Sequence, residues 1–271
     1  MLAGVLPHTV LSTIQNFVLT ARWHEIILAG WCFFGGIYFL FGAATTVLTR
    51  WLMPALGHGG RLDPRPVAAG QLKREIGLSI CSALLFGAGM VFPWGLLQLG
   101  WARLAVDPSW WRVGLEILVL VVWNEVHFYA NHWLLHTRWL RRFHNPHHRS
   151  VVTTPWATYA FHPVEAVMLG NVILLPMVVH DFSFAALFSV PLFSLLFNCI
   201  GHSNYDFLPD FHRDRWWLNG ARRHHLHHAC FTGNYGFMFP FMDRLCGTAL
   251  PPEAAEGRIA RDLNRRLADA G

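Results

Sequence analysis

The stretch IILAGWCFFGGIYFLFGAATTVLT, residues 26–49, contains no charged side chain over its whole length. A helix of about 20 apolar residues is long enough to cross the hydrocarbon core of a bilayer. This stretch therefore predicts a membrane-spanning helix. The composition of the chain agrees, because 54% of its residues are hydrophobic and only 14% are charged, which is sparse charge for a water-soluble globular protein.

Four further apolar runs follow along the chain. Residues 76–99 are uncharged and include Pro93, which a spanning helix tolerates, and a third run begins at Val113. The last two runs, 164–179 and 182–200, are short, so the sequence leaves open whether both cross the membrane. We expect an all-α fold: a polytopic membrane protein with four or five transmembrane helices and a cytoplasmic, helical, histidine-rich cap.

Positive charge is concentrated in three segments, which follow the first, third and fifth apolar runs. Basic residues mark the cytoplasmic loops of membrane proteins, so all three segments are expected in the cytoplasm. The net charge of +5 then reflects topology and requires no nucleic-acid partner. The basic residues are Arg50, Arg61, Arg65, Lys73 and Arg74, then Arg138, Arg141, Arg142 and Arg149, then Arg213, Arg215, Arg222, Arg223, Arg244, Arg258, Arg261, Arg265 and Arg266.

The excess of arginine over lysine gives a hint about the source of the chain. Lys73 is the only lysine among the 21 basic residues. Such a bias is typical of a GC-rich, bacterial genome. The sequence therefore predicts an integral protein of the bacterial cytoplasmic membrane.

Ten histidines fall in or beside the same cytoplasmic segments. His132 and His136 are four residues apart at the end of the third run, so on a helix both imidazoles project from one face. The segments HNPHH, 144–148, and HHLHH, 224–228, share the pattern H-x-x-H-H. In that pattern the first histidine and one of the final pair lie on the same side, while the other is rotated by about 100°. Each segment can therefore reach two metal ions.

The histidines together predict a metal centre. Neutral imidazole is a ligand for zinc, copper, nickel or iron, and ten ligands exceed what one tetrahedral zinc ion can use, which favours two ions. Pro146 predicts that its segment is a turn or a helix start. His127 and His225 are out of register with these faces and are left out of the ligand set. The candidates are His132, His136, His144, His147, His148, His162, His202, His224, His227 and His228.

A membrane metal transporter or metal-storage protein is the alternative from a different class. Transporters place their ligands near the middle of the bilayer, whereas these histidines are predicted to gather at one surface. A haem-binding cytochrome needs paired histidines that face each other across two helices, which the HxxHH segments do not provide. Both alternatives fit the arrangement of the histidines less well than a metal centre at the membrane surface does.

The ordered motifs resemble those of the fatty acid hydroxylase superfamily, which includes C4-methylsterol oxidases, sterol desaturases and sphingolipid or fatty acid hydroxylases. They run from Trp123 to Thr248: HxxxH, HxxHH, HPxE, GHS, and a second HxxHH followed by GNYG and DRLCGT. The resemblance implies a non-haem di-iron site in which three histidine boxes and His202 supply ligands. The first box is residues 132–136, the second 144–148 and the third 224–228. His162 of the HPxE motif is either a ligand or a brace. Asp206 stands where some members carry a second histidine, so the ligand count stays open.

Four carboxylates are expected to support the site. Glu165 and Asp243 can accept the outward N–H of ligating histidines and fix their tautomers. For Asp243 a salt bridge with Arg244 or another nearby arginine is the alternative. Glu125 precedes His132 by seven residues and so shares its helical face. Asp206, four residues after His202, is the fourth of these supporting carboxylates.

The resemblance implies the chemistry of an O₂-dependent lipid oxidoreductase. We expect hydroxylation of a C–H bond of a fatty acyl, sterol or related lipid, with desaturation on the same scaffold as the alternative. The cofactors are two iron ions, which zinc can replace during purification. The sequence shows no cytochrome b5, ferredoxin or flavin motif, so a separate redox partner is expected to deliver electrons at the cytoplasmic face.

The chain is expected to form one integral membrane domain over residues 1–271. Within it, residues 1–122 are the predicted membrane anchor, 123–250 the catalytic region and 251–271 a cytoplasmic tail.

Overall fold

The computed structural model describes residues 9–207, 220–257 and 259–262, and these residues are mostly helical. Arg213, Arg215, Arg258, Arg265 and Arg266 lie outside the described residues, as does the end of the predicted tail from residue 263. The helices are α1 (Val10–Thr20), α2 (Trp23–Val47), α3 (Met53–Ala55), α4 (Gln71–Gly89), α5 (Val91–Gln98), α6 (Trp110–Leu135), α7 (Arg141–His148), α8 (Pro163–Gly170), α9 (Leu174–Val179), α10 (Phe184–Gly201), α11 (Gly220–Cys230) and α12 (Phe241–Leu245).

Four helical segments of the described chain are long and apolar enough to cross a membrane, which confirms the predicted class of fold. They are Trp23–Ala55, Gln71–Gln98, Trp110–Leu135 and Phe184–Gly201. The first joins α2 to α3 through a π-helical turn at Leu48–Leu52. The second joins α4 to α5. The chain is thus a helical integral membrane protein.

The apolar run at 164–179 forms two short helices instead of one long one. α8 begins near α7, and α9 ends close to the start of α6, where the His180 ring lies 3.4 Å from Oε1 of Glu116. The helix pair therefore runs between the two ends of the bundle with a break between Gly170 and Leu174. At that break Oδ1 of Asn171 lies 3.0 Å from Nε2 of His127.

Helices α2 and α4 pack closely because glycine faces glycine where they cross. A Cβ atom on Gly30 would lie 2.6 Å from the carbonyl oxygen of Gly87. Small residues allow helix backbones in membranes to approach each other in this way. Further along α2, the Tyr38 hydroxyl donates to the carbonyl oxygen of Trp156 at 3.0 Å. The α2–α4 pair thereby positions the loop that follows the second histidine box.

A short two-stranded sheet fastens the first basic loop to the segment after α10. Strand β1 (Gly60–Arg61) pairs antiparallel with β2 (Tyr205–Asp206), with Gly60 opposite Asp206. The Asn204 side chain extends this contact, since its Oδ1 accepts the Asp63 N–H at 2.8 Å and its Nδ2 donates to the Asp63 carbonyl at 3.0 Å. Two of the basic segments therefore meet at one end of the bundle.

The prediction that Pro146 marks a turn or a helix start was wrong. Helix α7 begins at Arg141, so Pro146 lies inside it. A proline in a helix interior removes one hydrogen bond to the residue four positions earlier. The helix forms nevertheless, and its histidines are held by contacts with histidines of other segments, such as His147 with His202 and His148 with His227.

Candidate metal centre

Nine of the ten predicted histidines form two groups at one end of the bundle. Within each group one ring nitrogen per residue lies within 4.8 Å of all the others. Eight of the nine side chains are buried, and His136 is only partly exposed. The first group is His132, His136, His144, His148 and His227, and the second is His147, His202, His224 and His228.

Helices α7 and α11 each contribute to both groups. His144 and His148 belong to the first group and His147 to the second. On α11 the order is reversed, with His224 and His228 in the second group and His227 in the first. Residues four apart share a helical face and the intervening residue is rotated away. This is the division that the H-x-x-H-H spacing predicts.

Backbone carbonyls fix the tautomer of three histidines, one from each of three separate segments. Nδ1 of His132 lies 2.9 Å from the carbonyl oxygen of Tyr235, and Nδ1 of His227 lies 2.7 Å from that of Gly233. Nδ1 of His202 lies 2.9 Å from the carbonyl oxygen of Asn198. A carbonyl oxygen only accepts, so each Nδ1 carries the proton and each Nε2 is left with a free lone pair.

These Nε2 atoms converge on one another. His132 Nε2 lies 3.0 Å from His144 Nε2, and His202 Nε2 lies 2.9 Å from His224 Nε2. Where both nitrogens of such a pair are unprotonated, they repel each other unless a cation lies between them. Two ligands on opposite sides of one ion, each about 2.1 Å from it, are about 4.2 Å apart, which is within the spread of each group. The residues present therefore fit two metal ions.

Burial keeps these imidazoles in the neutral form that binds metal. Loss of solvation, together with the nearby His132, lowers the pKa of His136 to about 3. Burial likewise lowers the pKa of His227 to about 3 and that of His202 to about 4. It also lowers the pKa of His144 and of His228. At neutral pH the rings therefore carry lone pairs and little positive charge.

The two carboxylates that were expected to accept histidine N–H groups do different things. Glu165 contacts a ligand candidate directly, with Oε1 2.7 Å from Nδ1 of His144. Asp243 instead forms the salt bridge that was the alternative, and its partner is Arg223 at 2.7 Å. Its two oxygens also accept the backbone N–H groups of Tyr235 and Gly236 at 2.7 and 2.9 Å. Asp243 therefore holds the loop whose carbonyl orients His132.

Glu125 holds the same loop from the other side. Its carboxylate accepts the backbone N–H groups of Phe237, Met238 and Phe239 at 2.8, 2.7 and 3.2 Å. Glu125 lies on α6, as His132 does, so the helix and the loop are fixed against each other. The glutamate supports the site through the backbone and not through an imidazole.

His162 lies in neither group of histidines. Its Nδ1 accepts the Val164 N–H at 3.1 Å, which caps the N-terminus of α8. The same helix carries Glu165, so His162 braces the residue that contacts His144. Asp206 lies in β2 and pairs with Arg222. His225, which was left out of the ligand set, is buried but belongs to neither group.

The comparisons with known proteins agree with the motifs. A family model described as fatty acid hydroxylase matches residues 117–248. A Delta(7)-sterol 5(6)-desaturase of Candida glabrata is 30% identical over 194 residues, which cover 68% of this chain and 50% of that protein. Lathosterol oxidase of Homo sapiens is 31% identical over 200 residues, which cover 69% of this chain and 64% of that protein.

A Delta(7)-sterol 5(6)-desaturase of Aspergillus fumigatus is 33% identical over 192 residues, which cover 67% of this chain and 54% of that protein. The chain thus spans about half the length of the curated relatives it matches, from 50% in one of them to 64% in another. No solved structure matches the chain.

Proposed function

The chain belongs to the fatty acid hydroxylase superfamily, and on that premise we propose that it is a membrane-bound, iron-dependent oxidoreductase that uses O₂ to oxidise a C–H bond of a lipid. One observation carries this proposal. Two groups of buried imidazoles direct ring nitrogens at common points, and bringing so many polar side chains out of water is costly unless they have partners.

Two iron ions are the proposed cofactor, one in each group of histidines. Bound iron supplies the activation of O₂ and the oxidation of the C–H bond, as metal cofactors do in such enzymes. Zinc binds imidazole more tightly than iron(II) does, so purified protein can carry zinc without zinc being the working metal. All ten histidines were proposed as ligands; the two groups support nine of them, and His162 is proposed as a brace.

The protein's own contribution is to orient the ligands and to exclude water. The carbonyl oxygens of Tyr235 and Gly233 and the carboxylate of Glu165 each hold one imidazole by its outward N–H. Of the nine grouped histidines only His136 is partly exposed, so access to the first group is proposed to lie on its side. Trp133 and Leu134 next to it are 50% and 41% exposed, which supports entry of an apolar substrate from the bilayer.

Both hydroxylation and desaturation remain proposals for the reaction. The histidine arrangement supports O₂-dependent oxidation of a lipid and does not distinguish an added hydroxyl group from a new double bond. The names of the relatives, sterol desaturases and lathosterol oxidase, favour desaturation of a sterol-like lipid. Hydroxylation, which the motifs indicate, is the first proposed reaction, and desaturation is the second.

A separate redox protein is proposed to deliver electrons at the histidine end. Arg138, Arg141 and Arg142 are exposed there, at or just before α7, and give the surface a positive charge. A partner with an acidic surface would be attracted to it. The basic loops support the proposal that this end faces the cytoplasm.

Two predictions from the sequence remain predictions. The proposed location in the bacterial cytoplasmic membrane depends on the arginine-rich composition alone, while the relatives named above come from fungi and human. The division into an anchor, residues 1–122, a catalytic region, 123–250, and a tail, 251–271, likewise stays a proposal.

The test is mass spectrometry of membrane lipids from cells that express the chain or its inactive His132→Ala and His227→Ala double variant. A lipid that gains one oxygen atom only with the intact chain supports hydroxylation, and one that loses two hydrogen atoms supports desaturation. Identical lipid profiles in cells with an active redox system would contradict both.

A further inference from the structure

A cavity of about 410 Å³ lies at the end of the first membrane-spanning segment and is lined by none of the grouped histidines. The residues that line it include Thr49, Arg50, Gly59, Gly60, Arg61 and Tyr205. The oxidation chemistry proposed above makes no use of this cavity.

The described residues that line the cavity carry a net positive charge. Both Arg50 and Arg61 line it, and the described lining residues include no acidic side chain. Nη1 of Arg50 is buried and has no hydrogen-bond partner among the described residues. A buried cationic N–H without an acceptor is costly. The arrangement therefore calls for an anionic acceptor.

Two features of the backbone bring the lining residues together: the π-helical turn that follows α2, and the pairing of β1 with β2. Thr49 and Arg50 belong to the π-helical turn at Leu48–Leu52, and π turns inside α-helices occur frequently at functional sites. The hydroxyl of Thr49 donates to the carbonyl oxygen of Thr45 at 2.7 Å, so that donor is already satisfied. Tyr205 reaches the cavity because β2 pairs with β1, where it lies opposite Arg61.

The surroundings of the cavity indicate where the anion comes from. Trp51, Leu52 and Leu56 follow Arg50 within six residues and are 67%, 49% and 58% exposed. Tryptophan and arginine side by side at the end of a spanning helix are typical of the boundary between lipid and water. Basic pockets at that boundary bind lipid head groups.

We propose that this cavity binds the phosphate of an anionic membrane phospholipid, with the guanidinium groups of Arg50 and Arg61 donating to the phosphate oxygens. The planar guanidinium fits two oxygens of a phosphate at once. The acyl chains of the lipid lie along the exposed apolar side chains at the end of the first span.

Native mass spectrometry of the purified full chain in detergent tests this proposal. With added phosphatidylglycerol we expect one tightly held lipid per chain. Arg50→Gln or Arg61→Gln weakens binding by about tenfold or more, as the loss of a charge-assisted hydrogen bond does. Lys73→Gln is the matched control, because it removes one exposed positive charge near the same end of the bundle and leaves the cavity intact.

Parallel titrations with phosphatidylcholine and with inorganic phosphate identify the ligand's source. Competition by phosphate, with a preference for phosphatidylglycerol over phosphatidylcholine, supports the proposal. Equal lipid binding by the Arg61→Gln and Lys73→Gln proteins would overturn it, as would retention of inorganic phosphate without any lipid. Arg61 is exposed in a two-residue strand, so its variant keeps the test decisive if Arg50→Gln fails to fold.

Discussion

Nδ1 of His144 lies 2.7 Å from Oε1 of Glu165, and both side chains are buried. This contact joins the second histidine box to the start of α8, whose N-terminus is capped by His162. The HPxE motif is therefore connected to the metal centre through its glutamate. A carboxylate in this position orients a ligating imidazole and makes it a better ligand.

Replacing Glu165 is expected to weaken metal binding without removing a ligand. Loss of a partner of a ligating histidine typically costs about 10- to 100-fold in metal affinity, so Glu165→Ala should fall in that range. Glu165→Gln should lose less, because the amide oxygen still accepts the N–H of His144. Competition with a chelator measures the affinity, and Glu253→Ala, at an exposed site, is the control. An unchanged affinity in Glu165→Ala would contradict the assigned role.

His132→Ala and His227→Ala are each expected to reduce lipid oxidation to the level of metal-free protein. Both residues belong to the first group, and each has its outward N–H fixed by a backbone carbonyl. The amount of protein in the membrane should change little, because His132 lies in the last turn of the spanning helix α6 and His227 lies outside the spanning segments. His225→Ala is the matched control on the same helix as His227, and it should retain activity. Turnover equal to that of the control in either variant excludes the residue as a ligand.

Glu125→Gln is expected to destabilise the loop after the third histidine box. The carboxylate accepts three backbone N–H groups, whereas an amide presents its NH₂ group to one of them. A buried donor left without a partner costs about 1–3 kcal/mol. The midpoint of thermal unfolding in detergent should fall for Glu125→Gln and stay constant for Glu256→Gln, at an exposed site. Equal midpoints for the two variants would show that the loop does not depend on Glu125.

Gly236→Ala tests the crowding around the same loop. A Cβ at this position would lie 2.8 Å from Oδ2 of Asp243 and from Oε1 of Glu125. Overpacking of this kind costs about 1–3 kcal/mol, so the variant should unfold at a lower temperature and hold less metal. Gly114→Ala is the control, since nothing lies within 4 Å of its added carbon. A variant as stable as the control would show that the loop can relax.

The sequence was sufficient to predict that the histidines gather into groups, because helical periodicity determines which imidazoles share a face. His144 with His148 and His224 with His228 fall into common groups for that reason alone. The long apolar helices follow from composition in the same way. Glu165 was predicted as a partner of a histidine, and the structure places it against His144.

The remaining parts of the site depend on contacts that side-chain identity does not encode. The acceptors for His132, His202 and His227 are carbonyl oxygens, which every residue carries. Only the turn beside Gly233, where φ is +65° and where Asn234 also has a positive φ, left a signal in the sequence. Arg223, the partner of Asp243, was one of several nearby arginines and was not singled out.

The break between α8 and α9 and the pairing of β1 with β2 could not be predicted for a related reason. The residues at 171–173 are not helix breakers, and the break is accompanied by a contact between Asn171 and His127 on another helix. Strands of two residues, such as Gly60–Arg61, are too short to show an alternating pattern. Both features arise from tertiary packing.

The metal content of the protein tests the central claim most directly. The chain should be purified without metal, loaded with ferrous iron under anaerobic conditions, freed of excess iron and measured by elemental analysis against protein concentration. Two groups of histidines predict two iron ions per chain, and His224→Ala, in the second group, should lower the content while the first group keeps its ion. A wild-type protein that holds no iron, or only one ion per chain, would contradict the two-metal centre.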